Sequence, residues 1–204
     1  MEYVTLSNGV KMPVLGYGVY QVTKEECEQC VLDALDAGYR SIDTAQSYFN
    51  EEEVGEAIRE SGVSREDIFL TSKVWVEHYG YEETRKSVEE SLRKLQTDYL
   101  DLMLLHQPFN DYYGAYRALE DMYEEGMLKA IGVSNFYPDR LVDLASFTKI
   151  PPMVNQIETH VFWRWRKGIS RMRSRYPLMR LPCRKLSCIY RKESIIPCGI
   201  YCIL

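Results

Sequence analysis

From about residue 24 onward the chain repeats one unit: a helix with its apolar residues on one face, a Gly or polar stop, and a short strand candidate. Thr23 and Glu26 have the spacing of a capping box, and Cys27, Cys30, Val31, Ala34 and Leu35 follow at helical intervals until Gly38. YRSID then reads as a strand. Glu51 to Glu60 forms the next helix, stopped by Gly62, and leads to the apolar run Ile68 to Lys73. Three further pairs continue the series: Glu82 to Leu95 with Tyr99 to Leu105, Ala115 to Glu125 with Leu128 to Val133, and Pro138 to Phe147 with Met153 to Ile157. Tyr99 to Leu105 is nearly continuously apolar, as suits a strand buried on both faces. Recurring at roughly 25 to 30 residues, the helix–strand pairs predict βα units in a parallel sheet. Ahead of them, YVTL and VKMPV flank Asn8-Gly9, which predicts an opening hairpin with a type I′ turn.

Each predicted strand ends on a polar or ionisable residue. Asp43 closes the first and Lys73 the second; His106 follows the third, Ser134 and Asn135 the fourth, and Gln156 lies near the end of the fifth. The carboxyl ends of successive parallel strands form one rim, and a (β/α)₈ barrel keeps its chemistry there. A doubly wound sheet would more usually carry a Gly-rich phosphate loop after its first strand, and YRSIDTAQSY has none. The expected fold class is therefore α/β, of the TIM-barrel type, with an amino-terminal hairpin and about five of the eight βα units.

Among these residues Tyr48, Asp43, Lys73 and His106 fit carbonyl reduction, in which hydride attacks carbon and a proton must reach the developing alkoxide. Tyr48 would be the acid. The Lys73 ammonium is expected to favour tyrosinate and lower a pKa that is ordinarily about 10. Asp43 would pair with Lys73, and His106 would orient the carbonyl by donating to the same oxygen. Each residue also has a plainer role, as a helix cap or as solvated surface. Their joint placement on three successive strand ends is what favours the chemical role.

Several segments make the reading specific. GYRSIDTAQSYFNEEEVG, LRKLQTDYLDLMLLHQP and EGMLKAIGVSNF resemble, in order, three signature blocks of the aldo-keto reductases, with FLTSKVW between the first two. The resemblance covers residues 1 to 163 and is nearest to bacterial prostaglandin F synthase and 2,5-diketogluconate reductase-like members. It implies an NADP-dependent reductase of the alcohol dehydrogenase (NADP+) type, with NADPH as hydride donor and aldehydes or ketones as substrates. It further implies Tyr48 as acid, tuned by Asp43 and Lys73, and His106 as the residue that orients substrate. Asp43, Ser134, Asn135 and Gln156 match cofactor-binding positions; side-chain amides and a hydroxyl suit a carboxamide, having both donors and acceptors. Ser134-Asn135 also reads as a helix-capping turn. Tyr20 and Trp75 match substrate-lining positions, with Phe109 a further candidate there; His78 and Trp163 receive no catalytic role.

Past Trp163 the composition changes. Residues 1 to 163 carry 14 Lys/Arg against 29 Asp/Glu, whereas residues 164 to 204 carry 11 against 1, and four of the six cysteines fall in that second stretch. The chain therefore divides into a reductase-like part, 1–163, and a basic, Cys-rich part, 164–204, expected to be poorly ordered. A reading-frame shift near Phe162 to Arg164 is the favoured explanation. A four-thiolate zinc site of Cys183, Cys188, Cys198 and Cys202 would lack paired CxxC knuckles, so no metal is expected. A basic nucleic-acid- or membrane-binding tail is the other reading weighed, and neither partner is expected. With no signal-peptide pattern and no long apolar run, the expected location is the cytoplasm. Five strands do not close an eight-stranded barrel, so the expectation is a monomer if folded and an aggregation-prone chain if the barrel stays open. The alternative to a working enzyme is an inactive fragment with at most a binding role.

Overall fold

The computed structural model describes residues 1–158 and the backbone of residues 201–202. The proposed boundary at 163/164, Trp163, and Cys183, Cys188 and Cys198 lie outside the described residues.

The chain opens with a hairpin, β1 (Tyr3–Thr5) and β2 (Lys11–Pro13), paired antiparallel with Val4 opposite Met12. Of the Asn8-Gly9 pair only Gly9 takes a positive φ, 90°, so the predicted type I′ turn does not form. Gly9 N donates to Leu6 O at 3.0 Å and Leu6 N to Val10 O at 2.8 Å, the longer loop in which a left-handed glycine follows the turn. Asn8 is thereby freed to donate from Nδ2 to Lys129 O at 2.9 Å, tying the hairpin to the main body.

Six parallel strands follow: β3 (Tyr17–Gly18), β4 (Ser41–Asp43), β5 (Phe69–Val74), β6 (Leu102–Leu105), β7 (Ile131–Ser134) and β8 (Val154–Glu158). Each pairs with the next in chain order. Helices α1 (Lys24–Asp36), α2 (Glu51–Glu60), α3 (Tyr81–Lys94), α4 (Tyr112–Glu124) and α5 (Pro138–Phe147) make the crossovers. A doubly wound sheet reverses its strand order at a switch point; this one never does, and it curls into a half-barrel. All residues of β5, β6 and β7 are buried, as two covered faces require. At Gly132 a Cβ would stand 2.4 Å from Val154 O, so the β7–β8 approach depends on having no side chain there.

The sequence places five strands in this sheet, and the sixth is β3. It has two residues, Tyr17 paired with Ile42 and Gly18 with Asp43, and lacks the apolar run by which strands are read. A second difference lies at α1, where Thr23 occupies the cap position but its hydroxyl donates to Glu26 Oε2 at 3.0 Å instead of accepting from the helix backbone. The stop at Gly38 is as expected, with φ 93° and Tyr39 N donating to Ala34 O. At the far side β9 (Tyr201–Cys202) runs antiparallel to β8, with Cys202 opposite Ile157 and Tyr201 opposite Glu158.

Candidate active site

The polar strand ends converge on the rim as the sequence predicts. Asp43 ends β4, Lys73 lies one residue from the end of β5, His106 follows β6, Ser134 ends β7 and Asn135 follows it, and Gln156 lies within β8. Asp43 and Lys73 are 4% and 1% exposed. Lys73 Nζ donates to Asp43 Oδ1 at 2.5 Å and to Thr44 O at 2.8 Å. The second carboxylate oxygen, Oδ2, accepts from Gln156 Nε2 at 2.9 Å, so Asp43, which the sequence reading places in both the acid-tuning and the cofactor-binding sets, bonds a member of each. Two charges out of water are tolerable only with such close partners.

Tyr48 stands on a short 3₁₀ turn, Gln46–Tyr48, after β4. Three side chains that the sequence does not single out hold this turn. Asn50, fully buried, accepts from Thr44 Oγ1 at 2.8 Å and donates to Val19 O and Val22 O at 3.0 and 3.3 Å. Gln46 donates to Ser87 O and Ser91 Oγ and accepts from Trp75 N at 2.9 Å. Ser47 Oγ lies 3.3 Å from His106 Nδ1. Nothing in the spacing of AQSYFN separates these three from ordinary loop residues, because each acts through partners distant in the chain.

An aromatic wall surrounds the acid. The Tyr48 ring lies 5.1 Å from Tyr20 and 5.7 Å, edge-on, from His106, which in turn meets Trp75 edge-on at 5.3 Å. Lys73 Nζ is 5.0 Å from the Tyr48 ring centroid. Asn135, at φ 62°, donates from Nδ2 to His106 O and Ser134 Oγ, both at 3.1 Å, and Ser134 Oγ donates to Gln156 O at 3.0 Å. Phe109 is 62% exposed. His78, also exposed, engages the fold through its carbonyl, which accepts from Thr84 Oγ1 at the start of α3.

The electrostatics depart from expectation at Tyr48, whose phenol is pushed above its ordinary value, not below it. Burial is the largest cause, followed by the Asp43 carboxylate and Tyr20. Lys73 is paired with Asp43, whose carboxylate offsets part of its pull on the phenol proton. Burial also pushes the Lys73 ammonium down, against the opposing pull of Asp43. Tyr48 therefore keeps its phenolic proton at neutral pH.

Burial, with a smaller contribution from Lys73, lowers His106 from 6.5 to about 4. The unfolded chain takes up this proton near 6.5 and the folded chain resists until about 4, so between these values the unfolded state binds more protons. Stability should thus fall as pH drops below about 6.5 and level off below about 4, a total loss of about 3 kcal/mol. Urea unfolding across that range measures it, and His106→Asn should flatten that part of the profile.

The comparisons with known proteins agree with this geometry. The model of the aldo/keto reductase family matches residues 8–176, running past the boundary read at Trp163. Glyoxal reductase of Bacillus subtilis is 53% identical over 161 residues, covering 78% of this chain and 58% of the relative. Morphine 6-dehydrogenase of Pseudomonas putida is 45% identical over 163 residues, 78% of this chain and 55% of its own. The chain thus spans a little over half the length of these curated relatives. Among solved structures, an aldo/keto reductase from Brucella melitensis superposes with a TM-score of 0.82 at 44% identity, over 85% of this chain and 69% of that one. An aldo-keto reductase from Bombyx mori, in complex with NADP, gives 0.81 at 32% identity over 85% and 63%. A half-barrel in unbroken strand order, a rim carrying Asp43, Tyr48, Lys73 and His106, and a family match over most of the chain lead to one assignment: this chain belongs to the aldo/keto reductase family.

Proposed function

We propose that this chain carries the acid-base half of an NADPH-dependent reductase that converts aldehydes or ketones to alcohols. The observation that carries the reading is the buried Asp43–Lys73 pair beside a protonated Tyr48, with neutral His106 across from it. Tyr48 gives its proton to the carbonyl oxygen as charge develops there, and the ammonium of Lys73 beside the ring stabilises the resulting phenolate. Asp43 holds Lys73 in place. His106 donates to the same oxygen and fixes the carbonyl's orientation, while Tyr20 and Trp75 form an apolar wall that favours small carbonyl compounds with hydrophobic or modestly polar groups.

The donor set suits a nicotinamide. The side-chain NH₂ groups of Asn135 and Gln156 donate within the protein, whereas their side-chain oxygens accept no hydrogen bond among the described residues. Those oxygens would hold the carboxamide N–H groups, with Ser134 beside them. Bound NADPH would supply the hydride. The Bombyx mori relative solved in complex with NADP supports this choice of donor.

The described half-barrel favours a second reading, a fragment that binds weakly and turns nothing over, since six parallel strands leave an eight-stranded barrel open. Titrating the full chain with NADPH by intrinsic fluorescence, then following loss of the reduced nicotinamide's absorbance with a generic aldehyde, separates the two. Saturable binding with turnover that Tyr48→Phe removes supports the reductase; no binding and no turnover supports the fragment.

A further inference from the structure

Ser47 is the residue whose position says more than the catalytic set does. It sits between Gln46, anchored on α3 and on the Trp75 backbone, and Tyr48, the proposed acid. Its hydroxyl meets one side-chain atom among the described residues, His106 Nδ1 at 3.3 Å, while His106 Nε2 has no hydrogen-bond partner there. The imidazole is otherwise confined by edges of aromatic rings, Trp75 on one side and Tyr48 on the other, which select its plane but not its tautomer. The His106 backbone is pinned as well, N donating to Val74 O and O accepting from Asn135 Nδ2.

A neutral imidazole has one N–H and one bare nitrogen, and the partner of the first nitrogen decides which the second will be. Should Nδ1 carry the proton, Nε2 would present a lone pair to a substrate carbonyl and repel it. Should the Ser47 hydroxyl donate to Nδ1, the ring proton is placed on Nε2. The hydroxyl proton has no other acceptor among the described residues, so donation to Nδ1 satisfies both groups.

We propose that Ser47 is a positioning residue that holds His106 in the Nε2–H tautomer, so that the ring donates to the carbonyl oxygen of an aldehyde or ketone. The proposal rests on the carbonyl-reductase reading for its purpose, but not for its test. The chain has three histidines, His78, His106 and His160, so the ring nitrogens of the ¹⁵N-labelled full chain can be assigned with single His78→Asn and His160→Asn variants. At neutral pH, long-range proton–nitrogen spectra should show His106 with Nε2 protonated and Nδ1 bare. Ser47→Ala should average the two nitrogens toward a mixture, and Ser47→Thr, which keeps the hydroxyl, should restore the wild-type pattern. In turnover, Ser47→Ala should lose about tenfold in kcat/KM toward the aldehyde, the scale of one hydrogen bond in the transition state, with recovery in Ser47→Thr. A wild-type ring protonated on Nδ1, or a His106 pattern unchanged in Ser47→Ala, overturns the proposal. The expected spectra in a chain that reduces no aldehyde would leave Ser47's hold on the ring standing and sink the reductase reading instead.

Discussion

Asp43→Asn should lower the stability of the chain by about 3–5 kcal/mol, enough to unfold a marginal domain outright. The substitution keeps the shape and removes the charge, so its effect isolates electrostatics. In the wild-type chain one carboxylate oxygen accepts from Lys73 Nζ and the other from Gln156 Nε2. Asparagine offers one acceptor and an NH₂ group, so one of these two donors must face another donor. If Lys73 keeps the oxygen, its ammonium remains buried without its paired carboxylate; if Gln156 keeps it, the ammonium loses its closest hydrogen bond too. Urea unfolding at an unchanged m-value measures the loss. The double variant Asp43→Asn/Lys73→Met should recover much of it, because the uncompensated charge leaves with the lysine. A double variant as unstable as the single one would mean the cost lies elsewhere than in the ion pair.

Tyr48→Phe should have the opposite profile. Its hydroxyl has no hydrogen-bond partner among the described residues and its ring is half-buried, so loss of the oxygen should change stability by less than about 1 kcal/mol. Turnover of a carbonyl substrate should nevertheless fall by about 10²–10⁴-fold, the scale of a positioned general acid. Binding of NADPH, measured by fluorescence, should be nearly unchanged, since Ser134, Asn135 and Gln156 are untouched. Persisting turnover in a folded Tyr48→Phe chain would assign the proton to another group, with Tyr20 and His106 the candidates beside it.

How much of the fold and the site is legible in the sequence depends on the kind of signal each residue leaves. The α2 and α5 boundaries are as expected, Glu51–Glu60 and Pro138–Phe147, because a helix start, helical periodicity and a clear stop are local. The rim is legible too, since Asp43, Lys73 and His106 each lie at or just after the end of a predicted strand. Strand β3 is not, having two residues and no run to interrupt. For Tyr48 the sequence suggests the wrong sign: it shows a lysine that could approach the phenol and an aspartate to pair with it, but not that burial of the phenol outweighs the lysine's pull. Asn50, Gln46 and Ser47 leave no trace because their partners, Val19, Ser91 and His106, are set by the fold alone.

The bond from Gln156 to Asp43 links residues 113 positions apart, whereas every strand pairing in the sheet joins neighbours in chain order. During synthesis the strands can add one after another, each on a template already made, at little cost in loop closure. The charged centre cannot be completed that way. Until β8 has emerged and docked, the second carboxylate oxygen of Asp43 lacks this donor, so the growing chain should pass through a stage with its sheet mostly assembled and its buried ion pair incompletely bonded. The last described parallel strand of the half-barrel is thus also the one that finishes the oldest part of its site, and chains arrested before residue 156 should be more prone to proteolysis and aggregation than their helix content suggests.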